Sequence, residues 1–161
     1  MHEVIVPTEN IPEILIIPNP VLLQRAKRVE ISEGTERLVE RMHKILLASE
    51  TGVGLAAPQI GESSQIFLMR LKITFPIETF INPRLTWKSS EKIHLPIKEA
   101  REGCLSIPNV VKILDRHRSV RIVYQAISGE TKEERFDGWA ARIIQHEYDH
   151  LNGILITSKS R

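Results

Sequence analysis

The chain has 161 residues, 42% of them hydrophobic and 26% charged, with a formal net charge of +2. This composition fits a single globular domain over residues 1–161, and the interspersed charges and short apolar runs exclude nucleic-acid-binding and membrane-spanning classes. One cysteine excludes an intramolecular disulfide, and the N-terminus lacks a signal-peptide pattern. We therefore expect a cytoplasmic protein, or one of an organelle matrix, without nucleic-acid or membrane partners.

The first third of the chain predicts an arm followed by a helix. Residues 1–20 hold four prolines around a β-branched run, Ile14–Ile17, which indicates an extended arm with one strand. Residues 35–49 repeat apolar side chains at helical spacing. Thr35 is the predicted N-cap of this helix, and Gly52 follows its end.

Residues 52–61 read GVGLAAPQIG and contain the G-x-G-x-x-A spacing of a dinucleotide-binding loop. That fingerprint needs a strand before it and a helix that opens at the glycines. Here a helix precedes it and Pro58 interrupts any helix that follows, so nucleotide binding is rejected. The small residues instead predict a tight loop whose backbone approaches another group closely, with a plain packing loop as the alternative.

The middle of the chain predicts short strands. They cover Gln65–Arg70, Glu78–Ile81, Val110–Leu114, Val120–Ala126 and Thr131–Phe136. Residues 128–130 (SGE) join the last two as a hairpin, whereas residues 71–77 and 82–99 are predicted loops because prolines and mixed charges interrupt them. The order of elements predicts an α+β fold: mostly antiparallel sheets wrapped around a central C-terminal helix, with the N-terminal-half helix packed outside.

Residues 138–153, GWAARIIQHEYDHLNG, predict that central helix. His146 and His150 lie four positions apart and would share one face, where two imidazoles can bind one metal ion. Glu147 could take a proton from a water bound there. The alternative is an ordinary amphipathic helix with two histidines on its polar face. Catalytic sites usually have three protein ligands, and no His, Cys, Asp or Glu follows His150, so a third ligand must lie upstream.

The upstream candidates are the carboxylates together with His2, His43, His94, Cys104 and His117. Cys104 is favoured because its segment, EGCLS at 102–106, is glycine-containing and polar, although a buried hydrophobic role is the common fate of a lone cysteine. His117 has charged neighbours and is expected to be exposed. A Cys-His-His site suits Zn²⁺, Fe²⁺, Co²⁺ or Ni²⁺, and the donor set alone does not choose among them.

Three segments, GVGLAAPQIG at 52–61, EGCLS at 102–106 and QHEYDHLNG at 145–153, resemble the three signature motifs of peptide deformylases in order and spacing. The resemblance extends from about Ile14 to about Leu155. The family removes the formyl group from the N-terminal formyl-methionine of new polypeptides. The resemblance therefore implies a metal-dependent hydrolase acting on N-formyl-methionyl peptides or nascent chains.

The same resemblance implies a role for individual residues. Cys104, His146 and His150 would be the metal ligands, usually for Fe²⁺, with Zn²⁺, Ni²⁺ or Co²⁺ as substitutes. A metal-bound hydroxide would attack the formyl carbon, with Glu147 as base and then as acid. Further implied roles are oxyanion donation by the Gln59 side chain and the Leu105 backbone N–H, substrate hydrogen bonds from the Gly54 backbone, and an ion pair between Glu102 and Arg116.

The pocket for the methionine side chain is predicted from position and residue type to include Val53, Trp139 and Ile143. Trp139 is bulkier than the aliphatic residue usual in the family and is expected to reshape this pocket. The sequence ends 11 residues after His150, which leaves no room for the C-terminal helix that many bacterial members use for ribosome docking and argues against ribosome association by that route.

Two rival functions follow from the same motifs. A peptide-bond-cutting metalloprotease shares H-E-x-x-H but needs a third ligand downstream. A non-catalytic relative would keep a structural metal, but such a site needs neither Glu147 nor Gln59 and is usually closed by a fourth protein ligand. Both alternatives are therefore less favoured than the deformylase.

Overall fold

Two helices pack on opposite faces of an antiparallel sheet in the computed structural model, which describes residues 7–93 and 101–159. The helices are α1 (Glu33–Ala48) and α2 (Gly138–Leu151). The strands are β1 (Gly54–Ala56), β2 (Ile66–Met69), β3 (Glu78–Lys88), β4 (Arg101–Cys104), β5 (Ile107–Ile113), β6 (Ser119–Gln125) and β7 (Thr131–Asp137). Five of them form a sheet in the order β1-β2-β3-β6-β7, while β4 and β5 form a separate hairpin. The predicted α+β fold is confirmed.

Strand β2 shows why the sheet is covered on both sides. Ile66 and Leu68 belong to the core that contains the apolar face of α1, whereas Phe67 and Met69 belong to the core that contains α2. Because successive side chains of a strand point to opposite faces, an unbroken apolar run is what a doubly covered strand requires. Helix α2 is thereby held at the centre of the molecule.

The N-cap of α1 lies three residues before the predicted one. Ser32 is the N-cap, and its hydroxyl accepts a hydrogen bond from the Thr35 backbone N–H at 3.3 Å. Thr35 lies in the first turn and donates its own hydroxyl to the Glu30 carbonyl at 2.5 Å. Both residues are good capping types, and the sequence alone did not separate them.

The strand predicted at Ile14–Ile17 is wrong. The Leu15 N–H donates to the Gln59 carbonyl and the Ile17 N–H to the Ser106 carbonyl, so neighbouring donors find acceptors in two different loops. This segment instead binds the loops that carry the first and second motifs. A cis peptide bond precedes Pro18.

The loop predicted at 82–99 is wrong for its first part, because β3 continues to Lys88. Asn82 adopts a positive φ of 49° at an irregularity of the β3–β6 pairing, which lets the strand continue through Pro83. Strands β1 and β4 were not predicted, while the hairpin at 128–130 between β6 and β7 is confirmed. Residues 94–100, including His94, lie outside the described part of the chain. Within the described ranges no helix is long and apolar enough to cross a bilayer.

Candidate metal centre

Helix α2 places the two histidines of its motif against the separate β4–β5 hairpin. Cys104 ends β4, at a register shift after Gly103, and is only 3% exposed. Its Sγ lies 3.3 Å from Nε2 of His150, whose Nε2 lies 3.2 Å from Nε2 of His146. The three donor atoms all lie within 4.8 Å of one another. Residues from two distant segments thus converge on one buried point.

These separations fit a bound metal ion. Nitrogen and sulfur ligands of a tetrahedral zinc-type site lie about 2.0–2.3 Å from the ion, which puts neighbouring donors roughly 3.3–3.6 Å apart. The sulfur–nitrogen and nitrogen–nitrogen distances of 3.3 and 3.2 Å are close to that range. One thiolate and two imidazoles also form a donor set that first-row transition metals favour.

Glu102 fixes the orientation of the His146 ring. The Nδ1–H of His146 donates to the Glu102 carboxylate at 2.6 Å, which leaves Nε2 of His146 facing the other two donors. Arg116 bonds both oxygens of the same carboxylate, at 2.5 and 3.1 Å, and reaches Asp149 at 2.6 Å. Burial alone would raise the pKa of Glu102, but the hydrogen bond from His146 and the charge of Arg116 hold it well below its usual value.

The predicted ion pair between Glu102 and Arg116 is therefore present, but it does more than support the cysteine loop. It also fixes the ring of His146 and ties in Asp149, and sequence reasoning missed both contacts. The available signal was an acidic residue on α2 beside the second histidine of the motif.

Glu147 is buried against the glycine loop. It is 4% exposed, and its Oε2 has no hydrogen-bond partner among the described residues. A Cβ at Gly54 would lie 2.7 Å from the Glu147 carboxyl carbon, so any side chain at this position would displace Glu147. Burial raises the pKa of Glu147 to about 7. A carboxyl with such a pKa can both accept and return a proton near neutral pH.

Gln59 lies in a short 3₁₀ helix, Ala57–Ile60, directly after β1. Its Oε1 accepts the Ala56 backbone N–H at 2.9 Å, which fixes the orientation of the amide. Its Nε2 donates to the Ser106 hydroxyl at 3.1 Å and lies 3.7 Å from Sγ of Cys104. The amide therefore sits beside the candidate ligand Cys104, and Ser106 is a partner that sequence reasoning missed.

A cleft of about 320 Å³ opens beside these groups, a size within the usual range for small-molecule sites. Its lining includes the four predicted substrate-binding residues, Val53, Gly54, Trp139 and Ile143, and also Leu105, the predicted backbone oxyanion donor. The Trp139 indole N–H donates to the Leu71 carbonyl at 3.1 Å, which places its ring along the cleft wall. Arg142, 2% exposed and bonded to the Leu114 carbonyl at 3.2 Å, also lines the cleft and was not predicted.

The other described histidines do not join this cluster. Nε2 of His43 pairs with the Thr79 hydroxyl at 3.1 Å, and Nδ1 of His117 pairs with the Ser89 carbonyl at 2.6 Å. The predicted exposure of His117 is wrong, since the residue is half-buried. His2 lies outside the described residues.

Fold and site together define an α+β protein with a buried Cys-His-His group that could hold one metal ion. Residues 11–161 match the family model for polypeptide deformylase. A peptide deformylase of Pseudothermotoga lettingae is 40% identical over 146 residues, covering 90% of this chain and 80% of the relative. Another, of Dictyoglomus turgidum, is 40% identical over 151 residues, covering 93% of each chain.

The fold agrees with that result. The crystal structure of peptide deformylase from Thermotoga maritima superposes with a TM-score of 0.85 at 36% identity, covering 95% of this chain and 99% of that one. The chain therefore belongs to the polypeptide deformylase family, as the three motifs predicted. The family consists of metal-dependent hydrolases that remove the N-formyl group from nascent polypeptides.

Proposed function

We propose that Cys104, His146 and His150 hold one divalent cation, natively Fe²⁺, and that this site removes the formyl group from N-formyl-methionyl chains. The convergence of three donor atoms within 4.8 Å supports the ligand set. A thiolate with two imidazoles accommodates Fe²⁺, and also Zn²⁺, Ni²⁺ and Co²⁺ as substitutes.

A cation bound there would supply a Lewis acid and lower the pKa of a water to about 7. Glu147 takes the proton of the attacking water and then passes it to the leaving amine, so that one carboxylate is first base and then acid. The products are formate and a free α-amine. The raised pKa of Glu147, about 7, and its place beside the cleft support this role.

The oxyanion that forms on the formyl group is held by the Gln59 side-chain amide and the Leu105 backbone N–H. The contact of Gln59 with Ala56, which fixes the amide, supports this assignment. Donors of this kind typically contribute about 3–4 kcal/mol each in the transition state. A fixed amide requires little reorganisation when the charge develops.

Substrate binding is assigned to the cleft. Val53, Trp139 and Ile143 accept the methionine side chain, and the Gly54 backbone bonds the peptide. The presence of these residues in one cleft supports the assignment. Since the site draws on both halves of the chain, we treat residues 1–161 as one catalytic domain.

The proposed setting is the bacterial cytosol, or an organelle matrix, where formyl-methionine starts new chains. The bacterial relatives support that setting. Nascent chains reach the site without contacts to nucleic acid or membrane, in keeping with the interspersed surface charges.

The main support for this function is that the three donor atoms cluster beside a cleft that Cys104, His146 and Glu147 line. The test is formate release from an N-formyl-methionyl peptide by protein loaded anaerobically with Fe²⁺ or Ni²⁺. We expect one formate and one new amine per peptide consumed. A lack of turnover with both metals would refute the function. Cleavage of an internal peptide bond, seen by mass spectrometry, would favour the metalloprotease. Metal analysis of protein purified without added metal identifies the native ion.

A further inference from the structure

Residues just upstream of the family-matched segment reach the substrate cleft. The match begins at residue 11, yet Pro7 lines the cleft. The Pro7 carbonyl accepts the backbone N–H of Asn109, in strand β5, at 3.0 Å. This contact attaches the segment to the hairpin that carries Cys104. We call Pro7–Glu9 the strap.

The other end of the strap holds the opposite wall of the cleft. The Glu9 carboxylate accepts the Ser49 hydroxyl at 2.5 Å, the Glu50 N–H at 3.0 Å and the Thr51 N–H at 3.2 Å, and it also accepts the Thr51 hydroxyl. Burial alone would raise the pKa of Glu9, but the hydrogen bonds from Ser49 and Thr51 lower it. The group is therefore an anion matched to four donors of one loop.

That loop leads directly to Gly54, to which hydrogen bonds with the peptide are assigned. The Ser49 hydroxyl, besides donating to Glu9, accepts the Gly52 N–H at 2.7 Å. From the buried side, Arg70 donates to the Ser49 and Gly52 carbonyls, each at 2.9 Å. Arg70 thus holds the carbonyls of the loop from inside while Glu9 holds its N–H and hydroxyl groups from outside. Without Glu9 the Glu50 N–H would lose its acceptor, and the Thr51 N–H would keep only the Ser49 hydroxyl, at 3.4 Å.

We propose that the strap is a specificity-determining part of the cleft: Pro7 forms a rigid apolar wall for the peptide beyond formyl-methionine, and Glu9 positions the 49–52 loop for that peptide. The formyl group must lie at the buried end, since Gln59 and Glu147 are 2% and 4% exposed. The rest of the peptide then runs out between the two walls that the strap connects. Proline lacks a backbone donor, so Pro7 contributes shape and apolar contact rather than a strand-like hydrogen bond. The inference rests on the proposed function.

Kinetics on the full-length, metal-loaded chain test the strap. N-formyl-methionine is compared with the tripeptide N-formyl-Met-Ala-Ser, in Glu9→Ala, Glu9→Gln, Pro7→Gly and a control, Glu13→Ala, which removes an exposed carboxylate from the same arm. We expect Glu9→Ala to raise KM for the tripeptide about 3- to 10-fold with little change in kcat, as loss of substrate binding requires. Pro7→Gly should act in the same direction, Glu9→Gln should recover part of the loss, and Glu13→Ala should match wild type. Equal effects on both substrates, no effect, or a lower KM would overturn the inference.

Hydrogen exchange of the metal-free chain gives a second readout. The Glu50 amide should exchange faster in Glu9→Ala than in wild type or Glu13→Ala, because it loses its acceptor. The Thr51 amide should respond in the same direction but less, because it keeps the Ser49 hydroxyl as an acceptor at 3.4 Å. Unchanged exchange would overturn the positioning role of Glu9. A wild-type chain that turns over neither substrate would refute the proposed function instead, and the exchange result would still decide whether Glu9 holds the loop.

Discussion

Replacing Gly54 with alanine should disable the site through one added methyl group. The new Cβ would lie 2.7 and 2.9 Å from the carboxyl and γ carbons of Glu147, whereas carbon atoms in contact are about 3.5–4.0 Å apart. The carboxylate must therefore shift by roughly 1 Å in a closely packed site. Gly54 does not have a positive φ, so the backbone accepts alanine and the effect comes from the methyl group alone. Overpacking of this kind costs about 1–3 kcal/mol of stability, and a 1 Å misplacement of a reacting group can cost about 10²-fold in rate.

Two assays on metal-loaded protein measure this effect: urea unfolding for the free energy of unfolding, and formate release for kcat/KM. The matched control is Gly34→Ala in α1, where the nearest atom to the new Cβ, Oγ of Ser32, is 3.6 Å away. The unfolding free energy of the control should rise by up to about 1 kcal/mol, because alanine has a higher helix propensity than glycine. Its activity should not change. We expect kcat/KM of Gly54→Ala to fall about 10²-fold. If the variant binds metal and keeps kcat/KM within about threefold of the wild-type value, the close approach of Gly54 does not set the position of Glu147.

Three other changes have defined outcomes. The pKa of Glu102 in the folded protein is held well below its usual value, so its carboxylate stabilises the fold at any pH above that usual value and loses this effect as the pH falls. Glu102→Gln should therefore reduce the loss of unfolding free energy below about pH 5. Parallel curves of unfolding free energy against pH for the two proteins would contradict this. Cys104→Ala should weaken metal binding at least about 10-fold in equilibrium dialysis, and full occupancy would remove it from the ligand set. Trp139→Leu should raise kcat/KM for formyl-phenylalanyl relative to formyl-methionyl peptides by about 10-fold, and an unchanged ratio would place Trp139 outside the side-chain pocket.

The candidate site could be predicted from the sequence because its chemistry is encoded locally. The four-residue spacing of His146 and His150 defines one helix face, and the lack of a ligand after His150 directs the search upstream. Cys104 is then the best candidate by its neighbours. Each of these steps needs only the identity and spacing of residues.

The supporting contacts could not be predicted because they join residues far apart in the chain. The hydrogen bond between Glu102 and His146 spans 44 positions, and the closeness of Gly54 to Glu147 appears only once β1 packs on α2. The extended form of β3 was missed for a related reason. Pro83 looks like a strand breaker until Asn82 is found at positive φ, bonded to Val29 and Gln125.

The role of Glu147 as proton carrier is tested by comparing wild type with Glu147→Gln, each loaded with the same metal under argon. Metal per chain and formate released from an N-formyl-methionyl peptide are measured on the same samples. We expect equal metal content and a loss of about 10²- to 10⁴-fold in kcat, since Glu147 carries the proton and does not bind the ion. A Glu147→Gln variant that releases formate at the wild-type rate would contradict this role.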